Sequence, residues 1–317
     1  MKDNMIESFI WTEKYRPKKL DEVINQKHVV ESLKSWIKEK GIPHIILAGP
    51  AGIGKTTIAL CIARELFGDT WRDNLLETNA SDERGIDIVR GKIKDFARTK
   101  PIGSDFRIIF LDEADSLTPE AQQALRRTIE RFSNVCRFIL SCNYSNRLIE
   151  PIQSRCAVFR LKQLSKEDVY KFIDRIVEGE KITITEDGKE AIYKISEGDL
   201  RKVANLLQAS STFGKVTEDV VFNVAAQAKP KDIKEMVAMA MKGDFLNARK
   251  KLHDLIINQG LSGEDIIKAI HREIFNLDMD DEKRLKFIEK IGEYEFRMNQ
   301  GSNELLQLEA LLAQFCG

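Results

Sequence analysis

A glycine-rich segment near position 50 carries residue types that can hold phosphate groups. It reads Gly49-Pro-Ala-Gly-Ile-Gly54-Lys55-Thr56 and fits the pattern G-x-x-x-x-G-K-[ST]. Glycines let successive backbone N–H groups converge on phosphate oxygens, Lys55 adds a positive charge, and the Thr56 hydroxyl can ligate Mg²⁺. We therefore predict a site for a nucleotide with its Mg²⁺. The residues expected at the phosphates are Gly49, Pro50, Ala51, Gly52, Ile53, Gly54, Lys55, Thr56 and Thr57.

An acidic pair supplies the second half of this chemistry. Asp112 and Glu113 directly follow the apolar run RIIFL at 107–111. A carboxylate at the carboxyl end of a strand beside a phosphate loop can hold Mg²⁺ through water, and a second can orient the attacking water. We expect Asp112 and Thr56 to hold Mg²⁺ and Glu113 to orient the attacking water. The letters DEAD at 112–115 also suggest a helicase, but the Ser-Ala-Thr motif and the second domain of alternating strands that a DEAD-box helicase needs are missing from the sequence.

Short apolar runs alternate with amphipathic segments through the first half of the chain and would position these residues. Runs that are apolar throughout are typical of strands covered on both faces, so the pattern predicts an α/β fold with a parallel sheet. The predicted strands cover 44–48, 75–79, 107–111, 137–141 and 157–161, and the predicted helices between them cover 29–40, 55–67, 85–100 and 119–132.

After position 161 the strands stop and helical patterns take over. Ser165 and Asp168 form a capping-box pattern that opens a helix, and further helices are predicted after Thr185 and over 200–211. A proline at position 230 marks a boundary, after which a second helical block begins. We predict three domains: an α/β domain over 1–161, a small helical domain over 162–229 and an all-α domain over 230–317.

The composition excludes several classes of protein. With 317 residues, 43% of them hydrophobic, the chain can bury sizeable cores, which excludes a wholly disordered protein. No apolar run approaches the roughly 18 residues that span a bilayer and no signal peptide is recognisable, so we expect a cytoplasmic protein without a membrane partner. The five cysteines have no C-x-x-C spacing and predict neither a disulfide framework nor a zinc module. The 50 basic and 50 acidic residues cancel, which argues against indiscriminate coating of nucleic acid.

Further motifs, together with the phosphate loop and the acidic pair, resemble a known family over nearly the whole chain. They read WTEKYRP at 11–17, NASDERG at 79–85, QALRRT at 123–128, SCN at 141–143, EPIQSRC at 150–156 and GDLR at 198–201. In this order and spacing they resemble AAA+ ATPases and, within them, the clamp loaders of the archaeal replication factor C small-subunit type. The resemblance implies an AAA+ P-loop ATPase domain with a parallel sheet, a helical lid domain and an all-α collar domain that oligomerises.

The resemblance assigns roles that the residues alone leave open. Asn143 matches sensor 1, which contacts the γ-phosphate or the attacking water, although an Asn after a strand also suits a turn. Arg155 matches an arginine finger that enters the ATP site of a neighbouring subunit, and Arg201 matches sensor 2; by sequence alone both would be ordinary surface residues. The implied catalytic residues are Lys55, Asp112, Glu113, Asn143, Arg155 and Arg201.

The segment 11–24 wraps the adenine in this family. The implied contacts to ATP outside the phosphate loop come from Thr12, Arg16, Pro17, Ile24, Asn143 and Arg201. Two departures from the family pattern affect the adenine packing: Thr12 stands where Val is usual, and Asn25 stands where Gly is common.

One predicted helix gives this neutral chain a basic face. Residues 84–107 contain seven Lys or Arg and three Asp, and Arg90, Lys94 and Arg98 recur every four positions beside an apolar stripe. The residues alone favour a solvated helix face. The resemblance implies instead that Arg84, Arg90 and Lys94 contact the backbone phosphates of DNA, largely without regard to sequence.

The resemblance implies an ATPase subunit of the clamp loader that opens a sliding clamp and loads it onto primed double-stranded DNA. The implied partners are the large subunit and other small subunits, in a ring or spiral hetero-oligomer expected to be a pentamer. The alternative is an AAA+ motor that translocates on nucleic acid, of the branch-migration or helicase type.

Two apolar features have partners that the sequence leaves open. The loop 100–106 carries Ile102 and Phe106. The resemblance implies that this loop faces the sliding clamp, although an ordinary surface loop fits the sequence nearly as well. The last helix has a broad apolar face that needs a partner inside its domain or in another subunit. That face comprises Leu305, Leu308, Leu312 and Phe315.

Overall fold

The computed structural model describes residues 9–82, 87 and 89–316. The chain divides into two compact units, one formed by Met1–Lys181 with Ser196–Asn205 and the other by Ile182–Ile195 with Leu206–Gly317. The boundaries of these units do not coincide with those predicted at 161 and 229. The division into three domains stays a prediction.

Five parallel strands form the sheet of the first unit. They are β1 (His44–Ala48), β2 (Leu75–Asn79), β3 (Arg107–Asp112), β4 (Cys136–Cys142) and β5 (Cys156–Arg160), in the spatial order β2-β3-β4-β1-β5. Strands β1, β3 and β4 are almost fully buried, as expected for strands covered on both faces. The predicted parallel α/β sheet is confirmed, and each strand end lies within one residue of its predicted position.

Seven helices accompany these strands in the described residues up to Lys181. They are α1 (Trp11–Lys14), α2 (Lys27–Lys38), α3 (Lys55–Phe67), α4 (Lys94–Arg98), α5 (Pro119–Phe132), α6 (Glu150–Gln153) and α7 (Lys166–Glu180), with a π-helical turn at Val89–Ile93 directly before α4. Helix α7 starts with a complete capping box, in which Ser165 accepts from the N–H of Asp168 and the Asp168 side chain accepts from the N–H of Ser165. The helix start predicted at Ser165 is therefore confirmed.

The carboxyl ends of β1, β3 and β4 meet at one edge of the sheet. Ala48 pairs with Cys142 at the ends of β1 and β4, and β3 lies on the other side of β4. The residues that follow these three strands, namely the phosphate loop, Glu113 and Asn143, are therefore neighbours. In open α/β sheets this edge is where ligands bind.

Two residues that the sequence suggested for surface roles are buried. Phe106 is 6% exposed and packs edge-to-face on Phe67, so of the two alternatives left open for it, burial in an ordinary loop fits this side chain, whereas Ile102 is 51% exposed. Arg107 is 7% exposed; its guanidinium lies over the Phe96 ring and donates to the Phe96 carbonyl oxygen. The positive charge of Arg107 therefore does not belong to the exposed basic face.

The remaining described residues are mainly helical. The helices are α8 (Glu186–Ser196), α9 (Leu200–Ser211), α10 (Glu218–Ala225), α11 (Pro230–Met241), α12 (Phe245–His253), α13 (Gly263–Glu273), α14 (Asp281–Asn299) and α15 (Glu304–Phe315). Helices α11 to α15 pack around one core, in which Leu308, Leu312 and Phe315 are fully buried and Leu305 packs at the edge. The apolar face of the last helix thus finds its partner inside its own domain.

The cysteines are free thiols, and burial raises the pKa of Cys61 and Cys142 to about 12. Both therefore stay protonated at neutral pH. Within the part of the chain that the structure describes, no helix has the length and apolar character needed to cross a membrane.

Candidate nucleotide site

The phosphate loop joins the end of β1 to the start of α3 and needs glycine at two positions. Gly52 (φ +70°) and Gly54 (φ +102°) have left-handed backbones, which other residues adopt only with strain. A Cβ on Gly52 would also collide with the carboxylate of Asp199. Gly54 is the N-cap of α3, so the positive end of this helix adjoins the loop.

Lys55 links the phosphate loop to the end of β4. Its Nζ donates to the carbonyl oxygens of Gly49 at 2.6 Å and Pro50 at 2.7 Å, and to Oδ1 of Asn143 at 3.0 Å. Burial lowers the pKa of Lys55, while the nearby Asp112 carboxylate opposes that shift. The predicted sensor Asn143 therefore lies within hydrogen-bond reach of the predicted phosphate-binding lysine.

Three donors hold Asp112 at the end of β3. The Thr56 hydroxyl donates to Oδ2 at 2.7 Å, the fully buried Ser141 hydroxyl donates to Oδ1 at 2.5 Å, and the Glu113 N–H donates to Oδ1 at 3.0 Å. Oxygen ligands are the ones Mg²⁺ prefers in proteins, and Thr56 and Asp112 present two of them side by side. These residues fit the predicted metal.

Two more acids of the DEAD segment shape the same edge of the sheet. Glu113 has a left-handed backbone (φ +52°), a conformation that costs a non-glycine residue about 1–2 kcal/mol and recurs at functional sites. Asp115 Oδ2 accepts from the N–H groups of Asn143 and Tyr144, each at 3.2 Å. The backbone that carries Asn143 is thereby fixed to the segment that carries Glu113.

The start of α9 lies against the phosphate loop and lines the pocket with Leu200 and Arg201. Asp199 Oδ1 accepts from the N–H groups of Arg201 at 2.8 Å and Lys202 at 3.1 Å and so caps the helix. The Leu200 N–H donates to the carbonyl oxygen of Gly52 at 3.1 Å. The phosphate loop is therefore tied directly to the helix from which Arg201 lines the pocket.

The N-terminal segment and α7 line the part of the pocket where the nucleoside is predicted to lie, called here the nucleoside end. Arg16, which lines it, pairs with Glu13 at 2.6 Å, and Phe172 lines it from α7. Asn25 has a left-handed backbone (φ +58°), which explains why glycine suits this position and why Asn, which tolerates that conformation, can replace it.

Most of the predicted contacts line this one pocket. Those that do are Thr12, Arg16, Pro17, Ile24, Ala51, Gly52, Ile53, Gly54, Lys55, Thr56, Thr57, Asp112, Glu113, Asn143 and Arg201. Gly49 and Pro50 do not line it, and their carbonyls hold Lys55 instead. The sequence did not single out Tyr15, Val23, Ser141, Cys142, Phe172 and Leu200, which also line the pocket. A signal was present for four of them, since they lie within the motifs WTEKYRP, SCN and GDLR: Tyr15, Ser141, Cys142 and Leu200.

Two regions of the chain match known domain families. Residues 45–164 match the ATPase family associated with various cellular activities (AAA), and residues 228–314 match the replication factor C C-terminal domain. The sequence is 53% identical to the replication factor C small subunit of Archaeoglobus fulgidus over 306 residues, which cover 96% of each chain. The chain belongs to the replication factor C small subunit family. The small subunit of Methanococcus vannielii is 50% identical, over 96% of this chain and 97% of that one.

The fold is also similar to that of the Thermotoga maritima RuvB Holliday junction branch migration motor. The TM-score is 0.56 at 22% sequence identity, over 78% of this chain and 86% of that chain. This likeness shows the fold alone. With the AAA match it confirms the predicted AAA+ fold, and family membership identifies this chain as an ATPase that binds ATP.

Arg155 lies away from the pocket of its own chain. It follows α6, and its guanidinium is 2.6 Å from Oε1 of Glu130 and donates to the carbonyl oxygen of Pro151 at 2.7 Å. Glu130 also lies 3.6 Å from Arg126 on α5. The Arg155 side chain is 37% exposed, so its charge is held by its own chain and is open to solvent.

The predicted DNA contacts are described only in part. Lys94 is half-buried at the start of α4, whereas Arg84 and the side chain of Arg90 lie outside the described residues. The apolar side of this segment faces the core through Val89, Ile93 and Ala97. The exposed basic residues around it are Lys92, Arg98 and Lys100.

Proposed function

We propose that this chain is a small subunit of a clamp loader, which uses ATP to open a ring-shaped sliding clamp and load it onto primed double-stranded DNA. One observation carries the proposal: a single chain combines an AAA pocket with a replication factor C C-terminal domain. An AAA pocket alone fits many ATP-driven machines. The C-terminal domain and the relatives at 50–53% identity narrow the choice to the clamp-loader class.

Within the pocket we propose a division of roles for ATP hydrolysis. Lys55 would neutralise the β- and γ-phosphates, Asn143 and Arg201 would contact the γ-phosphate, and Glu113 would orient the attacking water and accept its proton. Mg²⁺ bound by Thr56 and Asp112 would offset the charge of the phosphate oxygens. The three hydrogen bonds to Asp112 support its part, since they fix the carboxylate at the end of β3.

We further propose that Arg155 acts on the ATP of a neighbouring subunit. Its half-exposed guanidinium, outside the pocket of its own chain, supports a role at an interface. A planar and permanently charged fork suits the negative charge that spreads over the transferred phosphoryl group. Activity would then need an assembly, which we propose to be a pentamer of one large subunit and small subunits.

The basic face near α4 is our proposed DNA contact, through Arg84, Arg90 and Lys94. Burial of Val89, Ile93 and Ala97 supports it, because the apolar side of this segment is already occupied by the core. Contacts of this kind make binding depend on salt and little on sequence. Replacing both Arg90 and Lys94 by Glu is expected to abolish stimulation of the ATPase by DNA and to leave ATP binding unchanged. Replacing both Lys38, the last residue of α2, and the exposed Lys40 just after it by Glu serves as a matched control.

One reconstitution tests the proposed function. The full chain is combined with a candidate large subunit and a ring-shaped clamp, and ATP turnover is measured with and without primed DNA. A clamp loader should need the large subunit, respond to primed DNA plus clamp and show no processive movement. Strand displacement or branch migration by the chain without a clamp would favour the motor of the branch-migration type instead.

A further inference from the structure

A hydrogen bond ties the N-terminal segment to the first turn of α7. Asn25 Nδ2 donates to Oδ2 of Asp168 at 2.6 Å, the same carboxylate that completes the capping box of the helix. The next residue, Gln26, is fully buried, and its side-chain amide pairs with the backbone of Lys162 in both directions, at 2.8 Å and 3.1 Å. The turn at 25–26 is therefore held against the segment that leads into α7.

A second contact ties the same two elements at the last turn of α7. The Tyr15 hydroxyl donates to Oε1 of Glu180 at 2.8 Å, and the Lys14 ammonium lies 2.6 Å from the same oxygen. Burial and the neighbouring Glu180 raise the pKa of Tyr15 to about 12, so the hydroxyl keeps its proton and remains a donor at neutral pH. Gly179 allows this approach, because a Cβ there would collide with the Tyr15 hydroxyl.

The nucleoside end of the pocket lies between these two contacts. Ile24, next to Asn25, and Tyr15 line it from the N-terminal segment, and Phe172 lines it from the middle of α7. Phe172 comes four residues after Asp168, which places the two side chains on the same face of the helix. The distance between the two walls of the pocket is therefore set where α7 meets the N-terminal segment.

We propose that the Asn25–Asp168 and Tyr15–Glu180 hydrogen bonds fix the width of the nucleoside end and retain the bound nucleoside. Asn25, Asp168 and Glu180 act as positioning residues, because their hydrogen bonds hold the N-terminal segment and α7 at a fixed distance on either side of the nucleoside. Release of the nucleoside requires α7 to move away from the N-terminal segment, and that movement breaks both bonds. The phosphate end, which Lys55 and Thr56 form, keeps its contacts. This proposal rests on the ATP site proposed above.

Two conservative variants of the full chain test the proposal by stopped-flow release of a fluorescent ADP analogue. Asn25→Gly removes the side chain but suits the left-handed backbone, and Tyr15→Phe removes only the hydroxyl. The Asn25–Asp168 bond is exposed and the Tyr15–Glu180 bond is only partly buried, so solvent weakens both relative to a fully buried bond to a charged group. Loss of one bond is expected to speed release about fivefold, and loss of both about 20-fold. The matched control is Lys40→Gly, which also replaces a left-handed residue (φ +51°) by glycine but lies outside the pocket, and it should release the analogue at the wild-type rate.

Competition by inorganic tripolyphosphate separates this role from a merely structural one. Tripolyphosphate occupies only the phosphate end, so its inhibition constant should stay within about twofold of wild type in Asn25→Gly. A wild-type release rate in both variants would overturn the proposal, as would an equal loss of affinity for ADP and tripolyphosphate. A wild-type chain that fails to bind the ADP analogue at all would refute the ATP site itself, which is a separate result.

Discussion

Ser141→Ala removes one hydroxyl from a fully buried position at the end of β4. That hydroxyl donates to Oδ1 of Asp112 at 2.5 Å, while Thr56 and the Glu113 N–H hold the carboxylate from other sides. A hydrogen bond to a charged group contributes about 1.5–3 kcal/mol, or roughly 10- to 100-fold in an equilibrium constant. Loss of a group that orients a metal-holding carboxylate lowers metal affinity or activity by a similar factor. We therefore expect the Mg²⁺ concentration for half-maximal ATP turnover to rise about tenfold or more.

The assay is a Mg²⁺ titration of ATP turnover in the reconstituted complex with primed DNA. Binding of ADP without Mg²⁺ should stay within about twofold of wild type, because the phosphate loop and Lys55 are untouched. Ser210→Ala is the matched control: this serine is also fully buried, and within the described residues its hydroxyl has no hydrogen-bond partner. The same atom is removed there without loss of a hydrogen bond, so turnover and its Mg²⁺ dependence should not change.

A wild-type Mg²⁺ dependence in Ser141→Ala would refute the reasoning. Thr56 and the Glu113 N–H would then suffice to orient Asp112. Equal losses of thermal stability in Ser141→Ala and Ser210→Ala, with equal losses of turnover, would likewise assign the effect to the buried position and not to Asp112.

Gly52→Ala should weaken binding of a fluorescent ATP analogue at least tenfold, because the new Cβ meets a neighbouring carboxylate; Gly68→Ala, also left-handed but facing open space, should not. Glu130→Gln should raise ATP turnover of the complex without clamp about twofold to fivefold, since a half-exposed ion pair that holds Arg155 contributes under ~1 kcal/mol; unchanged turnover would mean that this pair does not restrain Arg155. Burial, with a nearby arginine, lowers the pKa of His44 to about 4, so the free energy of unfolding should fall as the pH drops from about 6.5 to 4. Denaturant titrations at several pH values should show a shallower fall in His44→Gln, and an identical slope would contradict the assignment.

Local patterns were enough to predict the elements that carry the phosphate chemistry. Strand β1 and helix α3 begin and end at the predicted residues, because an apolar run and a glycine-rich loop mark their limits in the sequence. The Ser165 capping box is equally local, since its two partners are three residues apart. In such cases the signal and the structure involve the same few neighbouring residues.

Contacts between segments that are distant in the chain could not be predicted from the sequence. Arg107 belongs to the basic segment by its charge, yet the strand that starts there buries it over Phe96. Phe172 gave no signal as a pocket residue, because it reaches the pocket only through the packing of α7 against the N-terminal segment. The pairing of Arg155 with Glu130 likewise depends on how α5 and α6 approach each other.

The close approach of Tyr15 to α7 also restricts the order in which substitutions at positions 15 and 179 can be tolerated. Gly179 lies in the last turn of that helix, where glycine is about 1 kcal/mol less favourable than alanine. Alanine would nevertheless be rejected there while the Tyr15 hydroxyl occupies the space of its Cβ. A smaller side chain must first appear at position 15, and only then does alanine at 179 become an improvement. Two positions far apart in the sequence are therefore coupled, because the effect of alanine at position 179 depends on which side chain stands at position 15.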